Sequence, residues 1–169
     1  LPNYKRKTIR LMKRIVIRKI KSDDSKSVLK IFNYYAKNKN FIKSEKIDFK
    51  EHIKWLKNLS KLEKKSFFVG ILEKKVIGYS RFKKISSKKF EISIALDNKY
   101  IGKGYGSKLL KSSIRKLLRI TEVKFIYSLV KKINKPSISL FQNHNFKRII
   151  TNRKKFSKFN YFKLDILDF

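Results

Sequence analysis

Three of the chain's five glycines fall in one six-residue window, Ile101-Gly102-Lys103-Gly104-Tyr105-Gly106. In a chain so poor in Gly, composition alone does not gather them. Gly admits left-handed backbone and lets another group approach the main chain closely. Before the window, Ile92, Ile94 and Leu96 alternate as in a strand. After it, Leu109, Leu110, Ile114, Leu117 and Leu118 recur on one face of a helix. A bare loop therefore opens a helix N-terminus. Successive N–H groups there, reinforced by the helix dipole, make an anion site suited to phosphate. A plain strand-to-helix turn is the alternative. Neither common nucleotide loop fits. A P-loop ends in Gly-Lys-Ser/Thr, and a dinucleotide loop spaces its glycines G-x-G-x-x-G near a first strand. Here the spacing is G-x-G-x-G after about the fourth strand.

Few other side chains offer chemistry. The chain has 12 Asp+Glu, two His and no Cys. The lack of Cys excludes a disulfide scaffold, a thiolate metal site and a cysteine nucleophile. With two His, no metal is expected. Glu91 lies early on the strand leading to the glycines and is a candidate general base; the alternative is a strand carboxylate paired with Lys. His52, on a helix, is a second candidate, against an ordinary partly buried His. Asn134 precedes Lys135-Pro136 and reads as a helix N-cap. His144 reads as a charge at a helix C-terminus. Arg81, mid-strand, is either a fork for phosphate or carboxylate or half of a salt bridge. Phe32, Tyr34, Tyr35 and Trp55 are core or cleft-wall aromatics.

The elements that must position these residues alternate in type. Arg14 to Ile20 reads as a strand, and Ser22, Asp23 and Asp24 can cap a helix carrying Val28, Leu29, Ile31, Phe32 and Tyr35. Asp48 and Glu51 form a capping box for a helix with Phe49, Ile53, Trp55 and Leu56. Phe67–Leu72 and Val76–Phe82 read as a hairpin turning at Glu73-Lys74-Lys75, and Phe90–Leu96 follows. Beyond the glycine-headed helix come a strand at 124–130, a helix at about 135–143 and strands near 146–151 and 160–167. The order β-α-α-β-β-β-α-β-α-β-β predicts an α/β domain with a mostly antiparallel sheet.

The chain's 169 residues suit one domain, placed at 14–169. Residues 1–13 (LPNYKRKTIRLMK) are basic and aperiodic, an extension or the tail of a longer parent, and Met12 would make a natural start. The net charge is +34, from 46 Lys+Arg of which 37 are Lys. Such a surface fits a nucleic-acid or acidic partner, or drift toward AT-rich codons; scarce Arg argues against base-specific reading. No run of about 18 apolar residues spans a membrane and no signal segment opens the chain, so a cytoplasmic protein is expected.

The segment EISIALDNKYIGKGYGSKLL (Glu91 to Leu110) resembles the acetyl-CoA motif of the GNAT superfamily of N-acetyltransferases, a strand, a short link, then Q/R-x-x-G-x-G/A opening a helix. Gly104 and Gly106 fill the two Gly/Ala positions, and Ile101 replaces the Gln or Arg. Asn134-x-x-Ser137-x-x-Leu140-Phe141-x-x-x-Asn145-Phe146 is similar to the family's N-x-x-A/S-x-x-L-Y-x-x-x-G-F. Asn145 tolerates the left-handed cap that Gly serves. Phe141 replaces the Tyr that commonly protonates the leaving thiolate. The element order also matches, over about residues 14–167.

The resemblance implies a GNAT fold, about seven strands in a mixed sheet flanked by about four helices. It implies direct acetyl transfer from acetyl-CoA to a primary amine. Gly102, Lys103, Gly104, Tyr105, Gly106 and Ser107 would hold the pyrophosphate by backbone N–H groups. Ile94, Ala95 and Leu96 would meet the pantetheine arm with backbone groups, and Asn134 would touch the cofactor. Glu91 or His52 would take the acceptor proton, and Tyr105, Tyr127, Tyr79 or water would replace the missing Tyr. The N-terminal half further resembles enzymes that acetylate nucleotide-linked amino sugars in pseudaminic-acid-type pathways, and also ribosomal-protein acetyltransferases. A small, anionic amine acceptor is expected, with nucleic acid not required and no membrane.

Overall fold

A computed structural model describes residues 14–37, 45–150 and 157–169. The expected basic extension at 1–13 lies outside the described residues. The chain runs through β1 (Val16–Lys19), α1 (Ser25–Lys37), α2 (Phe49–Asn58), α3 (Lys61–Lys65), β2 (Phe67–Leu72), β3 (Lys75–Ser86) and β4 (Lys89–Leu96). It continues through α4 (Tyr105–Leu118), β5 (Phe125–Lys131), α5 (Lys135–Gln142), β6 (Lys147–Ile149) and β7 (Phe159–Asp165). The seven strands form one sheet in the order β1-β2-β3-β4-β5-β7-β6. Its pairings are antiparallel except β4 with β5.

Local chemistry sets most element ends. Asp48 Oδ1 accepts from the Glu51 N–H (2.7 Å) and opens α2. Ser60 and Glu63 make the same capping box for α3, a five-residue helix absent from the expected four. Its Ser-x-x-Glu signal is in the sequence, but no apolar periodicity accompanies it. Asp24 was expected to cap α1. Its carboxylate turns back instead to the Arg18 guanidinium (2.6 and 2.8 Å) and the Lys21 N–H. Burial opposes that charge, yet these donors hold the Asp24 pKa below the usual range. The β2–β3 turn places Glu73 (φ 48°) and Lys74 (φ 65°) in the left-handed region. That conformation matches the strand twist but strains non-Gly residues.

Two cores sandwich the sheet. On one face α4 buries Leu109, Leu110, Ile114 and Leu117 against Phe82, Phe90, Ile92, Ile126 and Phe162. At about 1.5–3 kcal/mol per buried side chain, α4 alone contributes about 6–12 kcal/mol of transfer free energy. On the other face Val28, Ile31 and Tyr35 of α1 pack on Phe67, Val69, Tyr79 and Ala95. Among the described residues no helix is long and apolar enough to cross a membrane.

Candidate functional site

The sheet opens along its one parallel seam. β4 and β5 pair only at Lys89–Phe125, Phe90–Ile126 and Glu91–Tyr127. The bond from the Asp97 N–H to the Ile77 carbonyl (2.8 Å) sets the phase of the β3–β4 ladder. By strict alternation, Ala95 and Ser93 then bond to Tyr79 and Arg81 of β3. Ile94 and Leu96 turn their N–H and C=O groups the other way, into the gap, beyond the last β4–β5 pair at Glu91–Tyr127. The backbone polar groups of Ala95 are engaged in the β3–β4 ladder, opposite Tyr79. Leu96 offers its N–H, while its carbonyl accepts from the Tyr35 hydroxyl (2.6 Å). Burial pushes that phenol up to about 12, so Tyr35 stays a donor.

The gap runs into a cavity of about 700 Å³ lined by α1, α2, β2, β3, β4, β5 and α5. At the cavity's α5 side, Asn134 caps α5, accepting from the Ser137 N–H (3.2 Å). Both residues line the cavity, as do Ser128 and Phe141. Phe141 is buried, stacked on Phe162 (6.1 Å) and edge-on to Phe146 (4.9 Å).

The glycine loop heads α4. Gly102 (φ 75°) and Gly104 (φ 77°) are left-handed, and Gly104 is the N-cap. Gly106 sits in the first turn, where a Cβ would lie 3.4 Å from Leu96 Cδ1 and 3.6 Å from Leu140. Those are ordinary contacts, so the fold alone does not demand a Gly at 106. The N–H groups of Tyr105, Gly106 and Ser107 belong to the first turn and lack intrahelical acceptors. The Tyr105 side chain is buried edge-on to Tyr100 (6.0 Å) and is not part of the cavity lining. Lys103 Nζ donates to the Lys99 carbonyl (2.6 Å). Ser107 Oγ bonds His144 Nε2 (2.6 Å), tying α4 to the end of α5. Burial and nearby Lys111 push the His144 pKa down. His144 is therefore a neutral tether, not the expected capping charge.

The opposite wall is aromatic. The His52 ring stacks on Trp55 (5.6 Å, 29°), and the Arg81 guanidinium carbon lies 5.1 Å from the Trp55 ring. Glu63 Oε1 is 3.8 Å from Arg81, so the salt-bridge alternative for Arg81 is present. His52 is 2% exposed. Burial pushes its pKa down, against a hydrogen bond to the Ser25 backbone that raises it. Its Nε2 has no partner among the described residues. Glu91 faces the same cavity and lies opposite Lys83 in the ladder. Tyr79 lines it too, its hydroxyl held protonated by burial. Tyr127 does not line it and stacks on Tyr161 instead (5.4 Å). Sequence reasoning missed Lys83, Lys131 and Ser128. Period-two alternation from Arg81 and Glu91 carries the signal for Lys83.

Comparison with known proteins fixes the family. Residues 29–146 match the model of the acetyltransferase (GNAT) family. The chain belongs to the GNAT family. Acetyltransferase PseH of Campylobacter jejuni (strain 81-176) is 28% identical over 106 residues, 63% of this chain and 66% of that one. An N-alpha-acetyltransferase of Saccharolobus solfataricus is 31% identical over 96 residues, 50% of this chain and 58% of that one. The chain thus spans just under two thirds of the curated relatives it matches. The GNAT fold extends further than sequence identity. A ribosomal-protein-alanine N-acetyltransferase from Brucella melitensis superposes with TM-score 0.76 at 19% identity, covering 89% of this chain and 99% of that one. A phosphinothricin acetyltransferase from Sinorhizobium meliloti in complex with AcCoA gives TM-score 0.75 at 16% identity, covering 89% and 88%. The GNAT sheet and helices expected from the sequence are therefore the observed ones, with α3 added.

Proposed function

We propose that this chain is an acetyl-CoA-dependent N-acetyltransferase whose acceptor is a nucleotide-linked amino sugar. The observation that carries the first half is the gap between β4 and β5. It joins the glycine-headed N-terminus of α4 to a cavity with its own polar wall. Acetyl-CoA supplies the activated acetyl group as a thioester. The N–H groups of Gly102 to Ser107 hold its pyrophosphate. Ile94 and Leu96 donate N–H bonds from the edge of β4 to the pantetheine arm and the thioester oxygen. Asn134 and Ser137 border the arm on the α5 side. The chain thus holds the two reactants in one cleft, which removes much of the entropic barrier to their meeting.

Glu91 takes the proton of the acceptor ammonium, directly or through a water. His52, neutral and with Nε2 unpartnered, is the second acceptor on the same cavity. Phe141 supplies no proton, so the departing sulfur draws one from Tyr79 or water. For the acceptor, the support is the likeness to PseH together with Arg81, Lys83 and Lys131 on the cavity lining. These cations suit a diphosphate-bearing amine. The likeness to an N-alpha-acetyltransferase supports a second reading, a protein N-terminal amine.

A thiol-release assay with acetyl-CoA separates these. The panel is UDP-linked 4-amino sugars, a ribosomal-protein N-terminal peptide, polyamines and an aminoglycoside. Turnover confined to the sugars is the expected result. Turnover confined to the peptide replaces the acceptor assignment. Absence of acetyl-CoA binding by calorimetry overturns the pyrophosphate site.

A further inference from the structure

The outer half of the sheet carries an aromatic face that adjoins the acceptor cavity at Glu91 and Leu129, while its rings Phe125, Tyr127 and Tyr161 lie outside the cavity lining. Along β5, Ile126, Ser128 and Val130 are buried, while Phe125, Tyr127 and Leu129 are half-exposed. β7 repeats the alternation, burying Asn160, Phe162 and Leu164 and leaving Phe159, Tyr161 and Lys163 half-exposed. Register places both half-exposed sets on one face, with Tyr127 opposite Lys163 and Leu129 opposite Tyr161.

Three rings are contiguous there. Tyr127 stacks on Tyr161 (5.4 Å, 14°), and Phe125 meets Tyr127 edge-on (6.3 Å). Cations surround them. Lys163 Nζ lies 3.8 Å from the Phe125 centroid and Lys124 Nζ 5.2 Å. Lys89 neighbours Phe125 from β4, and Lys147 neighbours Lys163 from β6. The carboxylates nearby are Glu91, beside Tyr127, Asp165, beside Phe125, and Asp168, paired with Lys147 (3.0 Å). Lysines therefore outnumber acids around the rings.

We propose that this face binds single-stranded nucleic acid. Unpaired bases stack on Phe125, Tyr127 and Tyr161, while Lys89, Lys124 and Lys163 take phosphates. The charge decides the occupant. A second copy would bring a net charge of +34 against +34. A polyanion is attracted, and it gains further by releasing counterions. A duplex keeps its bases stacked and so cannot use the rings. Every base has a π-face and the lysines are assigned to phosphates, so binding is tolerant of sequence.

The test is fluorescence anisotropy with a labelled oligothymidine of about 12 nucleotides, within the span of known single-strand sites, and a duplex of equal length. The Phe125→Ser/Tyr127→Ser double variant keeps every charge. It is expected to bind the single strand about tenfold or more weakly at fixed salt, the scale of one lost base stack. Its salt slope should stay that of the wild type, since no phosphate contact is removed. Equal single-strand affinity in variant and wild type overturns the proposal, as does wild-type affinity equal for strand and duplex. The Lys89→Glu/Lys124→Glu variant alters only exposed side chains and keeps a readout if the ring variant fails to fold. It should lower affinity and flatten the salt slope, and unchanged binding overturns the assignment. Sedimentation that shows a dimer which the ring variant dissolves would assign the face to self-association and overturn it too.

Discussion

Gly102→Ala tests the anion loop most sharply. Gly102 holds φ 75°, and a Cβ there would meet nothing within 4 Å. The substitution therefore adds no clash, only the left-handed backbone penalty, about 1–2 kcal/mol for a residue with a Cβ. Residues 101–104 are exposed, so nothing packs on the loop to force the strained shape in the free protein. The loop relaxes, and the penalty appears when the ligand requires the original N–H directions. At about 1.4 kcal/mol per tenfold, acetyl-CoA should bind roughly five- to thirtyfold more weakly. Thermal stability should barely change, because relaxation avoids the strain in the folded state and the stiffer unfolded chain adds a little stability. Gly102→Asn should recover much of the affinity, since Asn tolerates this region. Titration calorimetry with acetyl-CoA reads all three proteins. Wild-type affinity in Gly102→Ala would refute the argument that this loop's backbone geometry holds the phosphates.

Three further expectations follow from the site and its supports. Glu91→Gln should lower kcat by about 10²–10⁴-fold, the usual worth of a positioned base, with acetyl-CoA affinity kept; steady-state kinetics with the identified acceptor checks it. His52 and His144 both have pKa values depressed in the fold, by burial first. Their contribution to stability is present above the unfolded value of 6.5 and is lost as pH falls below it, because the unfolded chain then takes up protons more readily. Melting curves between pH 8 and pH 5 should show that decline, smaller in His52→Gln, and a flat profile would contradict it. Gly78→Ala should destabilise by about 1–3 kcal/mol through overpacking. Its Cβ would sit 2.6 Å from Leu96 Cδ2 and 2.7 Å from the Ala95 carbonyl, a contact that chemical denaturation can weigh.

What the sequence made legible was local. Phe67–Leu72 reads as a strand and is one, because six consecutive residues offer neither a polar break nor a helical period. Gly102 and Gly104 stand out because left-handed backbone has few other occupants. The box at Asp48 and Glu51 fixes a helix start within three residues. What stayed hidden depends on distant partners. The bond from Ser107 to His144 joins residues 37 apart, and no spacing rule connects them. Tyr105 and Tyr127 look alike in the sequence, yet one is buried under Tyr100 and the other lies on an open sheet face. Which of Ile94, Ala95 and Leu96 turns its backbone toward the gap depends on the phase of the β3–β4 ladder, a tertiary fact. Neutrality at His144 likewise comes from burial and from Lys111 on α4, which a reading of α5 alone does not contain.

The short β4–β5 seam has a mechanical consequence. Three backbone pairs join the β1–β4 half of the sheet to the β5–β7 half. Among the described residues, α4 and its core side chains bridge both halves from one side. Such a joint resists separation but yields to flexing about the seam, like a book held by its spine. A pantetheine arm laid along Ile94 and Leu96 would act as a brace across the open margin. Bound protein should then be stiffer than free protein far from any ligand contact, and amide exchange in β5 and β7 should slow when the cleft fills.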